Sequence, residues 1–345
     1  MHGIMHDDNR GTNMSISSKL KTTIFASCCV VTVGLSSSLQ AAPKVLQINQ
    51  KVPATSDYAK TNYPILMVHG WLGWSKIGTN TIGMDYWYQI LPDLARNGAN
   101  VFAAQLSPAH QTEFRGEQLI RQVEEVLAIT GAEKVNLIGH SHGGPTSQYV
   151  AVTYPDKVAS VTGLSGTFHG SKVADDIQGN KLSKTGFNIV GNYLVAPLIS
   201  WGQGQFSMPY DFDKSMKSLT EKESVEFNKR FPTNTLTTLA DCKGGEHVDS
   251  ATGIPYYSWT GVAQATNALD IDTILMQLGP LSYKHKDNDG MVARCSSLAG
   301  QVIRDNYKLN HTDVANMMFG LTGKNAPDPI QLIREHANRL KQANL

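Results

Sequence analysis

The sequence predicts an α/β fold: a mostly parallel central sheet with helices on both faces. Three observations carry this. Apolar, often β-branched runs of strand length recur at 63–68, 100–105, 134–138, 158–164, 255–262 and 300–307. Helical patterns alternate with them, most clearly over 116–129, where Leu119, Ile120, Val123, Val126, Leu127 and Ala128 repeat at the period of an amphipathic helix. The run 134–138 then leads straight into Gly139-His140-Ser141-His142-Gly143, a Gly-x-Ser-x-Gly elbow between strand and helix.

Taken in chain order, 63–68 is a buried strand ending in His69-Gly70, and 100–105 is a second strand at parallel-sheet spacing. The amphipathic helix follows, then the strand 134–138 and the elbow. After the elbow, 145–154 reads as a helix that stops at Pro155, because proline cannot donate the next helical hydrogen bond. Strand, helix, strand, elbow and helix form the right-handed α/β build. Further strands follow at 158–164, 255–262 and 300–307, and a helix at 328–340. Between them, 171–232 changes character, with polar stretches beside the apolar 187–201, which is interrupted by Gly191 and Pro197. That segment reads as a helical lid above the C-terminal edge of the sheet; two core helices would give the same periodicity.

The elbow presents Ser141 as a nucleophile on a strained turn, and Gly139 and Gly143 flank it where a larger side chain would clash. A serine hydroxyl needs a histidine base and an acid that fixes the imidazole tautomer. On such a sheet both come later, acid before base. Of the later histidines, His142 lies in the elbow, His169 leaves no room for an acid, and His336 falls within a helix. His247 and His285 read as solvated loop residues, whereas His311 sits in a turn just after the last strand and is the expected base. The expected acid is Asp289, in the turn-rich Lys286-Asp287-Asn288-Asp289-Gly290 between two apolar strands; Asp287 competes. The same Asp-x-Asx-x-Gly lacks the downstream glutamate of an EF-hand. Backbone N–H groups of Trp71 and His142 are the expected oxyanion donors.

The 345 residues carry 30 basic and 29 acidic side chains. Basic Lys19 and Lys21, the apolar 22–35 and the small-residue Leu39-Gln40-Ala41 read as a secretory signal peptide spanning 1–41, with Met14 as an alternative start. Its apolar stretch, broken by Ser and Thr, is too short for a permanent membrane anchor. Removing 1–41 takes Arg10, Lys19, Lys21, Asp7 and Asp8, leaving 27 basic and 27 acidic side chains in a single domain over 42–345. An electroneutral chain without a basic patch argues against nucleic acid as a partner. Two cysteines remain, Cys242 and Cys295, and in an oxidising compartment they pair with each other.

Together, the segments 63–73 (Tyr-Pro-Ile-Leu-Met-Val-His-Gly-Trp-Leu-Gly), 135–145 (Val-Asn-Leu-Ile-Gly-His-Ser-His-Gly-Gly-Pro), Asn288-Asp289-Gly290 and Asn310-His311-Thr312-Asp313 resemble the secreted bacterial true lipases of the Pseudomonas and Burkholderia type. Asp85-Tyr86-Trp87 and 115–119 look like the same family without carrying chemistry. The likeness covers most of 62–345 and is weakest across 171–240. It implies an α/β-hydrolase fold that hydrolyses long-chain acylglycerols at an oil–water interface, with Ser141, Asp289 and His311 as the triad and Trp71 and His142 as oxyanion donors. It also implies the Cys242–Cys295 disulfide and one structural calcium ion, held by Asp270, Asp313 and the carbonyls of Met317 and Leu321. Export through the periplasm with a lipase-specific foldase is a further implication. The competing activities are a short-chain esterase or an acyltransferase on the same fold; a non-catalytic binding protein should have lost a triad member, and all three are present.

Overall fold

The computed structural model describes residues 45–47, 52–78, 83–180, 184–185, 188–189, 191–195, 198–199, 202, 208–267, 272–284 and 287–345. The expected signal peptide, Asp270 and His285 lie outside the described residues. In chain order the elements that matter here are β1 (Leu46–Gln47), β2 (Ile65–Val68), β3 (Lys76–Gly78), β4 (Gly83–Asp85), α1 (Ile90–Arg96), β5 (Val101–Ala103), α2 (Thr112–Thr130), β6 (Val135–His140), α3 (Gly143–Thr153) and β7 (Val158–Leu164). There follow α4 (Lys172–Gly179), α5 (Phe212–Ser218), α6 (Glu221–Arg230), β8 (Tyr256–Gly261), α7 (Asp272–Met276), α8 (Leu278–Tyr283), β9 (Gln301–Tyr307) and α9 (Pro329–Gln342).

The main sheet runs β1-β5-β2-β6-β7-β8-β9. Every pairing from β5 to β9 is parallel, and only β1 pairs antiparallel, on β5. Alternate residues of one strand go to opposite faces. Accordingly Ile65, Met67, Val101 and Ile138 pack with Leu94 of α1 and Ile333 of α9. Leu66, Phe102, Val135 and Leu137 instead pack with Val123 of α2 and Val150 of α3. A sheet covered on both faces explains why these strands read as unbroken apolar runs rather than as alternating ones. β9 is the far edge of the sheet, and its outward residues include Gln301, Arg304 and Asn306, while Asp305 pairs with Arg294 at 2.7 Å.

Helix ends follow local chemistry. Gly131, at φ +69°, closes α2 in the left-handed conformation that glycine adopts most easily. Asp328 caps α9 by accepting the Ile330 N–H at 2.9 Å. α3 starts at Gly143, two residues before the expected Pro145, because the elbow backbone turns directly into the helix; proline sits in its first turn, where no N–H is needed. The Asp289 turn lies between β8 and β9 in the chain, with the short helices α7 and α8 before it.

Cys242 and Cys295 form the expected disulfide, with Cα atoms 5.0 Å apart and a sequence separation of 53. It ties the stretch after α6 to the turn that follows Asp289. A loop of that length gives roughly 4 kcal/mol of stabilisation on the chain-entropy account. The Cys242→Ala/Cys295→Ala variant should therefore unfold at lower denaturant by about 2–4 kcal/mol, and reductant should affect the parent protein but not the variant. Equal stability of the two in chemical denaturation would contradict this.

Candidate active site

Ser141 stands between β6 and α3 with φ +55°, the left-handed region that is strained for any residue bearing a Cβ. Steric space explains its neighbours. A Cβ on Gly139 would lie 2.2 Å from the Gly143 carbonyl oxygen, and one on Gly143 would lie 2.2 Å from that of Val68. The serine N–H donates to Leu164 O at 3.0 Å, which anchors the turn to β7.

His311 and Asp289 meet across two loops at the C-terminal edge of the sheet. His311 Nδ1 lies 2.8 Å from Asp289 Oδ2, and the His311 backbone N–H donates to Asp289 O at 2.8 Å. Asp289 is fully buried, and its other oxygen accepts the N–H groups of Met291 (3.0 Å) and Val292 (2.8 Å). An ionised carboxylate only accepts, so Nδ1 carries the imidazole proton and Nε2 is left as the basic atom. Asp287, the competing acid, has an exposed side chain beside Arg294 at 3.8 Å. Ser141 and His311 line the same cavity, of about 370 Å³. No hydrogen bond joins their side chains among the described residues, a link that often tightens only around the reacting group. Of the other histidines, His247 is exposed, and His336 is buried on α9 with Nε2 at 2.8 Å from Thr162 Oγ1.

The loop 69–73 closes over the serine. A Cβ on Gly70 would stand 2.8 Å from Ser141 Cβ, so only glycine permits this approach. Among the described residues, neither the Trp71 nor the His142 N–H donates a hydrogen bond. Two unengaged donors flanking the nucleophile suit a developing oxyanion.

The side chain that shapes this loop is one that sequence reasoning passed over. Arg115 of α2 is fully buried and donates to the carbonyls of His69 (2.5 Å), Ser107 (2.7 Å) and Gly70 (3.4 Å). Burial draws its guanidinium down to about 9. The available signal was its place on the face of α2 that also carries Leu119 and Gln122, a charged residue on an otherwise buried stripe. Segment 115–119, expected to carry no chemistry, therefore carries structure for the site.

The rest of the cavity wall is mostly apolar, with Thr167, Ser171, Asp272 and Thr312 as its polar members. Leu72, Ile177, Ile199, Leu219, Met276 and Met291 contribute to it, drawn from the 69–73 loop, α4, the segment around 199, the turn after α5, α7 and the acid's loop.

Several imidazoles of the fold are buried, three of them near this site and His336 on α9, and burial is the main reason each is held below its usual range. His69, also facing Arg115, is pushed down to about 3, while His140, His142 and His336 lie well below the usual histidine range. In the unfolded chain these groups accept protons near pH 6.5, and in the folded chain they do not. Their stabilising contribution is thus complete above about pH 6.5 and is lost as pH falls below it. Tm should drop steadily as pH is lowered from about 6.5 toward 4.5; a flat Tm over that window in differential scanning calorimetry would contradict it.

Comparison with known proteins agrees with this geometry. The α/β hydrolase fold family matches residues 63–302. A triacylglycerol lipase of Vibrio cholerae serotype O1 is 43% identical over 314 residues, covering 90% of this chain and 96% of the relative. Triacylglycerol lipases of Burkholderia plantarii and Pseudomonas fragi are each 36% identical, covering 87% and 84% of this chain and 92% and 99% of the relatives. Among solved structures, the mature form of a Bacillus licheniformis lipase superimposes with a TM-score of 0.56 at 17% identity, covering 86% of this chain and 98% of that one, which speaks to fold. With a matching fold, an elbow serine, a buried Asp–His pair and relatives that match along nearly their whole length, the chain belongs to the bacterial triacylglycerol lipase family of α/β-hydrolase enzymes.

Proposed function

We propose that the chain hydrolyses the ester bonds of long-chain triacylglycerols by acyl transfer through Ser141. His311 Nε2 takes the Oγ proton as Oγ attacks the ester carbonyl, and the N–H groups of Trp71 and His142 receive the tetrahedral oxyanion. His311 then protonates the departing glycerol oxygen, leaving an acyl-enzyme. Water, deprotonated by the same imidazole, releases the fatty acid and restores Ser141. Asp289 stays ionised throughout and steadies the imidazolium. The observation that carries this reading is the 2.8 Å His311–Asp289 pair, whose His311 lines one mostly apolar cavity with Ser141. A wall of Leu, Ile and Met side chains suits an alkyl chain and favours long acyl groups over the esterase alternative.

The segment 171–232 serves as a lid in this scheme. Support comes from its position: Val173, Ile177 and Ile199 face the cavity, whereas Tyr193 (82% exposed) and Leu198 (60% exposed) face outward. Apolar side chains on both sides of one segment fit a cover that can settle on an oil–water interface. Secretion through the periplasm, assisted by a lipase-specific foldase, belongs to the same reading and is supported by the N-terminal pattern and the disulfide.

A structural calcium ion would be held by Asp313, the carbonyls of Met317 and Leu321, and Asp270. The donors fit a hard cation, since all are oxygens. Asp313 is buried two residues beyond His311, with one oxygen accepting the Asn310 N–H at 3.0 Å. The Met317 carbonyl accepts the Gly320 N–H at 2.9 Å and keeps a second lone pair. Bound there, calcium would secure the loop that carries the base.

Ser141→Ala should abolish labelling by a serine-directed phosphonate, and Asp289→Asn should lower kcat by about 10³–10⁴; labelling that persists in Ser141→Ala would refute the nucleophile. Turnover of emulsified long-chain glycerides separates the lipase from the esterase reading, and its absence would sink the former. A chelator should lower Tm, with recovery on adding calcium but not magnesium; an unchanged Tm would speak against the metal site.

A further inference from the structure

Tyr86 and His140 are buried beside Ser141, yet neither touches the ester in the acyl-transfer scheme. They form one continuous chain of hydrogen bonds. The Gly70 N–H donates to Tyr86 Oη at 3.0 Å, Tyr86 Oη lies 2.5 Å from His140 Nδ1, and His140 Nε2 lies 2.7 Å from the carbonyl oxygen of His311. The direction follows from donor counting. A carbonyl only accepts, so Nε2 must carry a proton, and neutral His140 then has Nδ1 as an acceptor for the phenol. Burial, reinforced by the His311 and His69 imidazoles, keeps His140 neutral.

The chain joins loops that are distant in sequence. Gly70 precedes Trp71, His140 precedes Ser141, and the carbonyl at the far end belongs to the base itself. Packing holds the links in place: the Tyr86 ring meets Trp74 and Trp87 edge-on at 5.6 and 5.1 Å, and the His140 ring lies 4.8 Å from that of His311. Asp289 fixes one edge of the His311 imidazole and, through its carbonyl, the His311 N–H, whereas the His311 carbonyl is held from the other side by His140.

We propose that Tyr86 and His140 are positioning residues for acyl transfer, a two-residue strut that sets the oxyanion loop and the base loop at a fixed separation across the nucleophile. The proposal rests on the roles assigned to Ser141, His311 and Trp71. A strut of this kind acts on the geometry of the transition state and not on substrate capture, so it shows in kcat.

The test is steady-state hydrolysis of a dissolved short-chain p-nitrophenyl ester by Tyr86→Phe, His140→Ala, His140→Gln and the Tyr86→Phe/His140→Ala double variant. Each is normalised to phosphonate-titrated serine, and Tyr149→Phe, whose hydroxyl bonds Glu117 in the wild type, is the control. Tyr86→Phe and His140→Ala should each lower kcat per titrated site by about tenfold to 100-fold, with KM changed by less than about twofold. The double variant should be no worse than the poorer single one, because links of one chain are lost together. His140→Gln, whose amide can still donate to the His311 carbonyl, should recover part of the rate lost in His140→Ala. Unchanged kcat per site with only a lowered Tm would overturn the proposal, as would effects that multiply in the double variant. If a truncation fails to fold, the comparison of His140→Gln with wild type decides on the same kcat criterion. Wild type that is not labelled at Ser141 would sink the acyl-transfer assignment; labelled, active wild type beside fully active variants would sink the strut alone.

Discussion

Steric exclusion at the elbow is the constraint on which the rest depends. The Val68 and Gly143 carbonyls stand where side chains at positions 143 and 139 would begin, so the chain can turn from β6 into α3 only with glycine at both. That turn forces Ser141 to φ +55° and lifts its hydroxyl above the sheet edge. Loops from β2 and β9, and the stretch between β8 and β9, converge there because the strands that feed them are parallel and end on one side. The acid, the base and the oxyanion loop are thereby brought to one point without being close in sequence.

The groups that hold the acid and the oxyanion loop are fixed dipoles and charges buried from solvent. Asp289 accepts from two backbone N–H groups and meets His311, and the two terminal nitrogens of Arg115 donate to carbonyls rather than to a carboxylate. Groups arranged in this way need little reorganisation as charge develops, which is where such sites gain most of their effect. A buried cation without a carboxylate partner is expensive in isolation; here its fork is the piece that spans the loop after β2 and the loop after β5.

The sheet, the helices on both faces and the candidates Asp289 and His311, which the fold brings together, were legible in the sequence, because each rests on a local pattern. Alternating helical and strand periods gave the order of elements, and its position just after a late strand singled out His311. What stayed hidden was tertiary. Nothing local in Asp85-Tyr86-Trp87 or in Arg115 reveals that the fold delivers a phenol to His140 and a guanidinium to His69, since those partners lie on other elements.

The open flank of the sheet has its own consequence. Along β9 the outward positions are filled by Gln301, Arg304 and Asn306, and Asp305 is tethered to Arg294. Unpaired strand borders are natural templates for cross-β growth, and hydrophilic, ionised side chains there make stacking with another copy unfavourable. Molecules crowded at high local density should consequently resist fibrillar aggregation through this border even while their greasy upper surfaces are drawn together.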